Sequence, residues 1–239
     1  SIPKEMVQDA TCAAFEAACD NNRPVHHDLA LAGRPLRLSF AGSAMVANIL
    51  PALQHLACEP QSPPLLHVRI FDSASTGVAL PPRPWGDDAQ VARGEIIGLE
   101  TGNSVRATFQ PGSAVLTLYH PDSASALVWM ADARRCPSWE AAAPLRGLLH
   151  WWCERYAQQL VHAAAVGTSA GTRPGALLLT GKGGSGKSTT ALAALAAGMQ
   201  YIGDDYVVCD TGAGGARRHL CPAFFLALGI EVGLHLFGS

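Results

Sequence analysis

The stretch ALLLTGKGGSGKSTTALAALAAGMQYIGDDYVVCD, residues 176–210, decides how this chain is read. Gly181, Gly186, Lys187 and Ser188 fill every fixed place of the pattern G-x-x-x-x-G-K-[ST], with Gly183, Gly184 and Ser185 between them. An apolar run of strand length, residues 176–180, precedes the pattern, and an Ala/Leu segment closed by Gly198 follows it. The predicted order is strand, glycine turn, helix. Glycines let a backbone turn its N–H groups inward, and a helix start adds the positive end of its dipole at the same spot, which makes a phosphate site. A lysine there reaches the β- and γ-phosphates as a mobile charge, and a serine hydroxyl in the first helical turn is a hard ligand for Mg2+. The expectation is ATP with Mg2+ held by Gly181, Gly183, Gly184, Ser185, Gly186, Lys187, Ser188 and Thr189.

Beyond the helix, Asp204 and Asp205 stand together inside the apolar stretch MQYIGDDYVV. Adjacent carboxylates there need a reason, because an unpaired buried charge is costly. One can hold Mg2+ directly or through water, and the other can accept the proton of an attacking hydroxyl. Neighbouring side chains of a continuous strand point to opposite faces, so both reach one nucleotide only where the chain turns. A turn is expected at the pair, read as two short strands meeting.

The rest of the chain sets limits. Its 239 residues, 49% of them apolar, suffice for one large domain or two small ones. A formal charge of -2 with 15% charged residues leaves no basic excess for a nucleic-acid backbone. No apolar run reaches the roughly 18 residues of a membrane span, and the first residues do not read as a signal peptide, so a cytoplasmic protein is expected. Seven cysteines, an odd number without a C-x-x-C pair, read as reduced and mostly buried thiols. Nine scattered histidines without H-E-x-x-H give no support for zinc.

Residues 1–132 read as a mainly β module with a helix packed on it. Asp28 to Ala32 and Leu36 to Phe40 flank Gly33-Arg34-Pro35 as a hairpin, and Ser43 is placed to cap a helix toward Leu56 with a kink at Pro51. Leu65 to Phe71 alternates as a strand. EIIGLE, SVRATF, AVLTLYH and ALVWM follow at the spacing of an antiparallel meander, with turns at Gly102-Asn103, Pro111-Gly112 and Pro121-Asp122. In residues 133–160, Leu145, Leu148, Leu149, Trp152, Tyr156 and Leu160 lie at helical spacing after Pro144, which predicts a joining helix over 144–160. Trp151-Trp152 reads as core rather than as a stacking platform. Finally, VHAAAVG and GALLLTG bracket the turn TSAGTRP, a hairpin leading into the phosphate loop within residues 161–239.

LVHAAAVG, the hairpin, GKGGSGKSTTAL and AAGMQYIGDDYV together resemble the kinase domain of the HPr kinase/phosphorylase family and related serine kinases, whose phosphate loop is shared with phosphoenolpyruvate carboxykinase. The resemblance covers about residues 160 to 210. It implies an α/β (α+β) architecture in which the β module precedes an HPr-kinase-like P-loop domain. It also implies transfer of the γ-phosphoryl group of ATP to a serine of a small protein or peptide. By it His162 matches the family histidine near the transferred phosphate, Lys187 and Ser188 match the ATP and Mg2+ residues, and Asp204 and Asp205 match the catalytic aspartates. The base falls on one of that pair, with the lean to Asp204 and the metal contact to Asp205. Thr189 stands where HPr kinases often carry Glu, and the segment RRHLCPAFFLALGIEVGLHLFGS has no counterpart in the family pattern. The expected domain is therefore incomplete at its C-terminal side, and a nucleotide-binding module without phosphotransfer is the alternative. Self-association is left open.

Overall fold

A computed structural model describes residues 4–80, 91–92, 95–96, 105–110, 113–168, 175–210 and 220–222. The chain mixes helices and strands and divides into two units, 1–148 and 149–239.

In the first unit an Ala-rich helix, α1 (Lys4–Asn21), leads to the hairpin β1 (Pro24–Leu31) and β2 (Arg34–Ala41), antiparallel with Pro24 opposite Ala41 and Leu31 opposite Arg34. Helix α2 (Val46–Leu53) then carries the chain to β3 (Leu66–Asp72), which lies parallel to β2. Ser43 does not cap α2 with its side chain: Met45 holds the cap position without a side-chain bond, and Ser43 serves only through its carbonyl, which accepts from Val46 N–H at 3.2 Å. Pro51 lies inside the helix, whose end tightens into a single turn over Gln54–Leu56. A short turn of helix, α3 (Ser73–Thr76), follows β3. Its N-cap Asp72 is buried and accepts from Ser75 N–H, the Ser75 hydroxyl and Ala133 N–H.

Strands β4 (Val91–Ala92), β5 (Glu95–Ile96), β6 (Arg106–Gln110), β7 (Val115–His120) and β8 (Ser125–Met130) pair antiparallel in sequence. The meander is thus present, but its last strand lies parallel to β3, closing one sheet of order β1-β2-β3-β8-β7-β6-β5-β4. Of the expected turns, Pro121-Asp122 is found, whereas Gly102-Asn103 and Pro111-Gly112 lie outside the described residues. One face of the sheet is largely apolar, with Leu36, Leu38, Phe40, Leu66, Val68, Ile70, Ala126 and Val128 buried, and His27 and Thr117 sharing it. On the other face, Ala41, Phe71, Leu127 and Trp129 pack with Phe15 and Ala18 of α1. Period-two alternation explains both faces.

Helix α4 (Ser138–Ala142) precedes α5 (Arg146–Glu154), within which the division between units falls. The helix is shorter than the 144–160 expected: Leu145 (φ 60°) precedes it, and the chain reverses at Ala157 (φ 52°). Leu160 belongs to β9 (Gln158–Val161), where it shares the buried side with Gln158 and alternates with the exposed Gln159. Helical and alternating spacing coincide there, so periodicity alone could not separate them. Trp151 and Trp152 are both buried, as core residues.

The second unit adds β10 (Ala163–Thr168), β11 (Gly175–Thr180), α6 (Lys187–Ala196), β12 (Gln200–Gly203), β13 (Val207–Asp210) and β14 (Leu220–Pro222). They form two three-stranded sheets, β11-β10-β12 and β14-β13-β9. Small side chains on β10 bind the layers together: Ala164 and Val166 meet Ala191 and Ala194 of α6 on one face, while Ala163 and Ala165 meet Val207 and Cys209 on the other. The six cysteines with described side chains are free, though only Cys153 is buried. Among the described residues no helix is long and apolar enough to cross a membrane.

Candidate functional site

The predicted hairpin exists and fixes the position of the loop. β10 and β11 pair antiparallel with Ala163 opposite Thr180, so the chain leaves β11 for Gly181 next to the residue that precedes β10, His162. Residues 181–186 then turn on left-handed glycines, Gly184 (φ 77°) and Gly186 (φ 87°), and α6 begins at Lys187 with Gly186 as its cap. Only glycine takes such angles without strain. At Gly181 the constraint is space: a Cβ would lie 2.5 Å from the Ser185 hydroxyl oxygen. Lys187 Nζ donates to the carbonyls of Gly181 at 3.0 Å and Lys182 at 3.3 Å, so its ammonium lies across the loop that the first helical turn faces. Thr190 Oγ1 donates to the Gly186 carbonyl at 2.9 Å, tying the new helix back to the loop. The loop itself is exposed, and Ser188 is half-buried in the first turn of α6.

His162 and the Asp pair come together because the chain changes sheets twice at the same place. β9 pairs with β13, Val161 opposite Val207, and β10 pairs with β12, Ala165 opposite Gly203. His162 is the single residue between β9 and β10, and residues 204–206 join β12 to β13. The two junctions lie side by side, and Ala163 N–H donates to the Asp205 carbonyl at 3.2 Å. The expected turn at the pair is present. Asp205 takes φ 70°, a left-handed angle that Asp tolerates better than most residues, and its N–H donates to Asp204 Oδ1 at 2.9 Å.

The two aspartates consequently differ. Asp204 is buried at 4% exposure and holds the turn, whereas Asp205 is part-exposed and pairs its Oδ1 with His162 Nε2 at 3.2 Å. The His162 ring stacks on Tyr206, centroids 5.0 Å apart. On β12, the Tyr201 hydroxyl is pushed up to about 12 by burial and then by the charges of Asp204 and Asp205.

The structure thus unites His162 with Asp205 and places the entry to the loop one strand over, on the opposite side of β10. Two strand spacings, about 10 Å, separate the backbone of β11 from that of β12. A triphosphate held by the loop and lying across the end of β10 would span that gap. Sequence reasoning missed the tyrosines that flank the pair, Tyr201 and Tyr206; the signal was there in YIGDDY, aromatics on either side of two acids. Among the described residues no group of three His, Cys, Asp or Glu side chains is arranged to hold a metal by itself. Mg2+ bound together with phosphate needs no such group, since it keeps several waters and takes only one or two protein oxygens. Ser188 and one carboxylate of the corner are the residues that would supply them. No protein-family model, curated protein or solved structure matches this chain.

Proposed function

We propose that the second unit is an ATP-dependent serine kinase of the HPr-kinase-like kind, moving the γ-phosphoryl group of ATP to a serine hydroxyl of a small protein or peptide. The observation that carries the reading is the register of β10: Thr180, the entry to the phosphate loop, lies on one side of Ala163, and Asp205, paired with His162, lies on the other. The loop N–H groups and Lys187 hold the phosphates and stabilise charge on the transferred group, and bound Mg2+ neutralises the phosphate oxygens. Asp205 accepts the proton of the serine hydroxyl. Its exposure and its His162 partner favour it over Asp204, toward which the sequence leaned, because a base must reach the acceptor. Asp204 positions Asp205 by accepting its N–H.

One observation favours the second reading, nucleotide binding without transfer. β11, the strand that carries the loop, is an edge strand among the described residues, with Leu177 and Leu178 exposed. A kinase resting on this sheet would need its acceptor site built elsewhere. Incubation with Mg2+, γ-labelled ATP and whole-cell extract decides between the readings, since a phosphoserine-labelled band requires transfer.

A further inference from the structure

The face of the first sheet that meets α1 at Ala41 and Phe71 carries a second set of chemistry earlier along β2 and β3. β1, β2 and β3 bring His26, Asp28, Arg37, Ser39, His67 and Arg69 onto one side, with His26 opposite Ser39, Asp28 opposite Arg37, Arg37 beside His67 and Ser39 beside Arg69. Ser39 is buried at 1% exposure, and its hydroxyl lies between two imidazoles, 2.8 Å from His26 Nδ1 and 2.8 Å from His67 Nε2. Each ring therefore presents its other nitrogen away from the serine. Neither His26 Nε2 nor His67 Nδ1 has a hydrogen-bond partner among the described residues. A hydroxyl has one hydrogen, so with both rings neutral one of them accepts from Ser39 and keeps its N–H on the outward nitrogen.

The charges are unbalanced on the same face. Asp28 is spent on Arg37, which donates Nε to Oδ1 at 2.9 Å and a second nitrogen to Oδ2 at 3.2 Å. Arg69 has no ion pair among the described residues. It acts instead on His67, whose imidazole burial, then Arg69 and Arg37, hold down at about 4. His26 is exposed, and His67 and Arg69 are part-exposed, so the set is reachable.

We propose that His26, Ser39, His67 and Arg69 form a binding site for a phosphate-class oxyanion. Arg69 supplies a forked pair of donors, the outward imidazole N–H supplies a third, and a tetrahedral anion accepts from several directions at once. Side chains on adjacent strands are spaced about 5 Å apart, and the Ser39 bridge draws the His26 and His67 rings together and holds them in place before an anion arrives. The phosphate could be a free ion or a monoester. This site is independent of the phosphate loop and of the kinase reading.

The test is histidine-selective NMR on the full chain carrying Lys187→Ala, which removes binding at the loop, with His26→Asn and His67→Asn used for assignment. Inorganic phosphate, O-phosphoserine, acetate and chloride are titrated in turn. Saturable shifts of the His26 and His67 signals with phosphate are expected, together with weakening of about tenfold or more in Arg69→Gln. Asp28→Asn, which frees Arg37, should tighten binding. Shifts with phosphoserine as well identify a monoester as a ligand source, and shifts with inorganic phosphate alone identify the free ion. Absence of saturable shifts, equal shifts with chloride, or affinity unchanged in both Arg69→Gln and Asp28→Asn would overturn the proposal.

Discussion

His162 and Asp205 face each other at 3.2 Å across the seam where β9–β10 and β12–β13 pass from one sheet to the other. Strands that switch sheets leave their junction residues outside both ladders, which frees these side chains for chemistry while the flanking pairs hold them rigidly. An exposed pair of this kind contributes at most about 1 kcal/mol to stability. His162→Gln should therefore leave the unfolding midpoint in urea nearly unchanged. Phosphotransfer in the same variant should fall by about tenfold or more, because Asp205 loses the partner that orients it. A large loss of stability with transfer retained would make the pair structural.

Lys187→Ala should weaken Mg-ATP binding by at least about tenfold, since it deletes the ammonium that lies over the loop and would meet the β- and γ-phosphates. Gly181→Ala should act in the same direction through shape, because the added Cβ meets the Ser185 side chain. Calorimetry with ATP checks both; equal affinity for wild type and Lys187→Ala would end the phosphate-loop reading.

The aspartates should separate in kinetics. Asp205→Asn keeps the shape and removes the basic oxygen, so transfer should fall by about 100-fold or more with ATP affinity nearly unchanged. Asp204→Asn keeps an oxygen to accept the Asp205 N–H and should cost far less. If Asp204→Asn instead abolishes transfer while Asp205→Asn does not, the base is Asp204. If either variant lowers affinity only when Mg2+ is present, that carboxylate holds the metal.

The first unit should lose stability in mild acid through His67. Its imidazole protonates near 6.5 when unfolded but only at about 4 in the fold. Between those values the unfolded chain binds more protons, so the contribution is complete above pH 6.5 and is lost as pH falls toward 4. Urea unfolding of wild type and His67→Gln across that range is the check: the variant should show a flatter pH dependence, and identical slopes would exclude His67 as a source.

Much of this was legible in the residues. Strong short-range signals, such as the glycine loop before an Ala/Leu run and the Gly33 hairpin, read directly because local conformation decides them. The turn at Asp204-Asp205 was predictable from charge in an apolar stretch. What escaped was set by pairing between distant strands: β8 lying parallel to β3, Leu160 in a strand rather than the end of a helix, and His162 meeting Asp205 rather than Asp204. Likewise the His26–Ser39–His67 bridge joins residues of three strands, and nothing in their spacing along the chain announces it.

The decisive measurement is transfer itself: wild type, Lys187→Ala and Asp205→Asn incubated with Mg2+, γ-labelled ATP and whole-cell extract, followed by phosphoamino-acid analysis of labelled bands. Cooperation of the loop with the His162–Asp205 corner predicts phosphoserine on a small protein or peptide with wild type. It predicts almost none with either variant, although Asp205→Asn still binds ATP. Wild type that binds Mg-ATP yet labels nothing across the extract, or labelling that survives in Lys187→Ala, would contradict it.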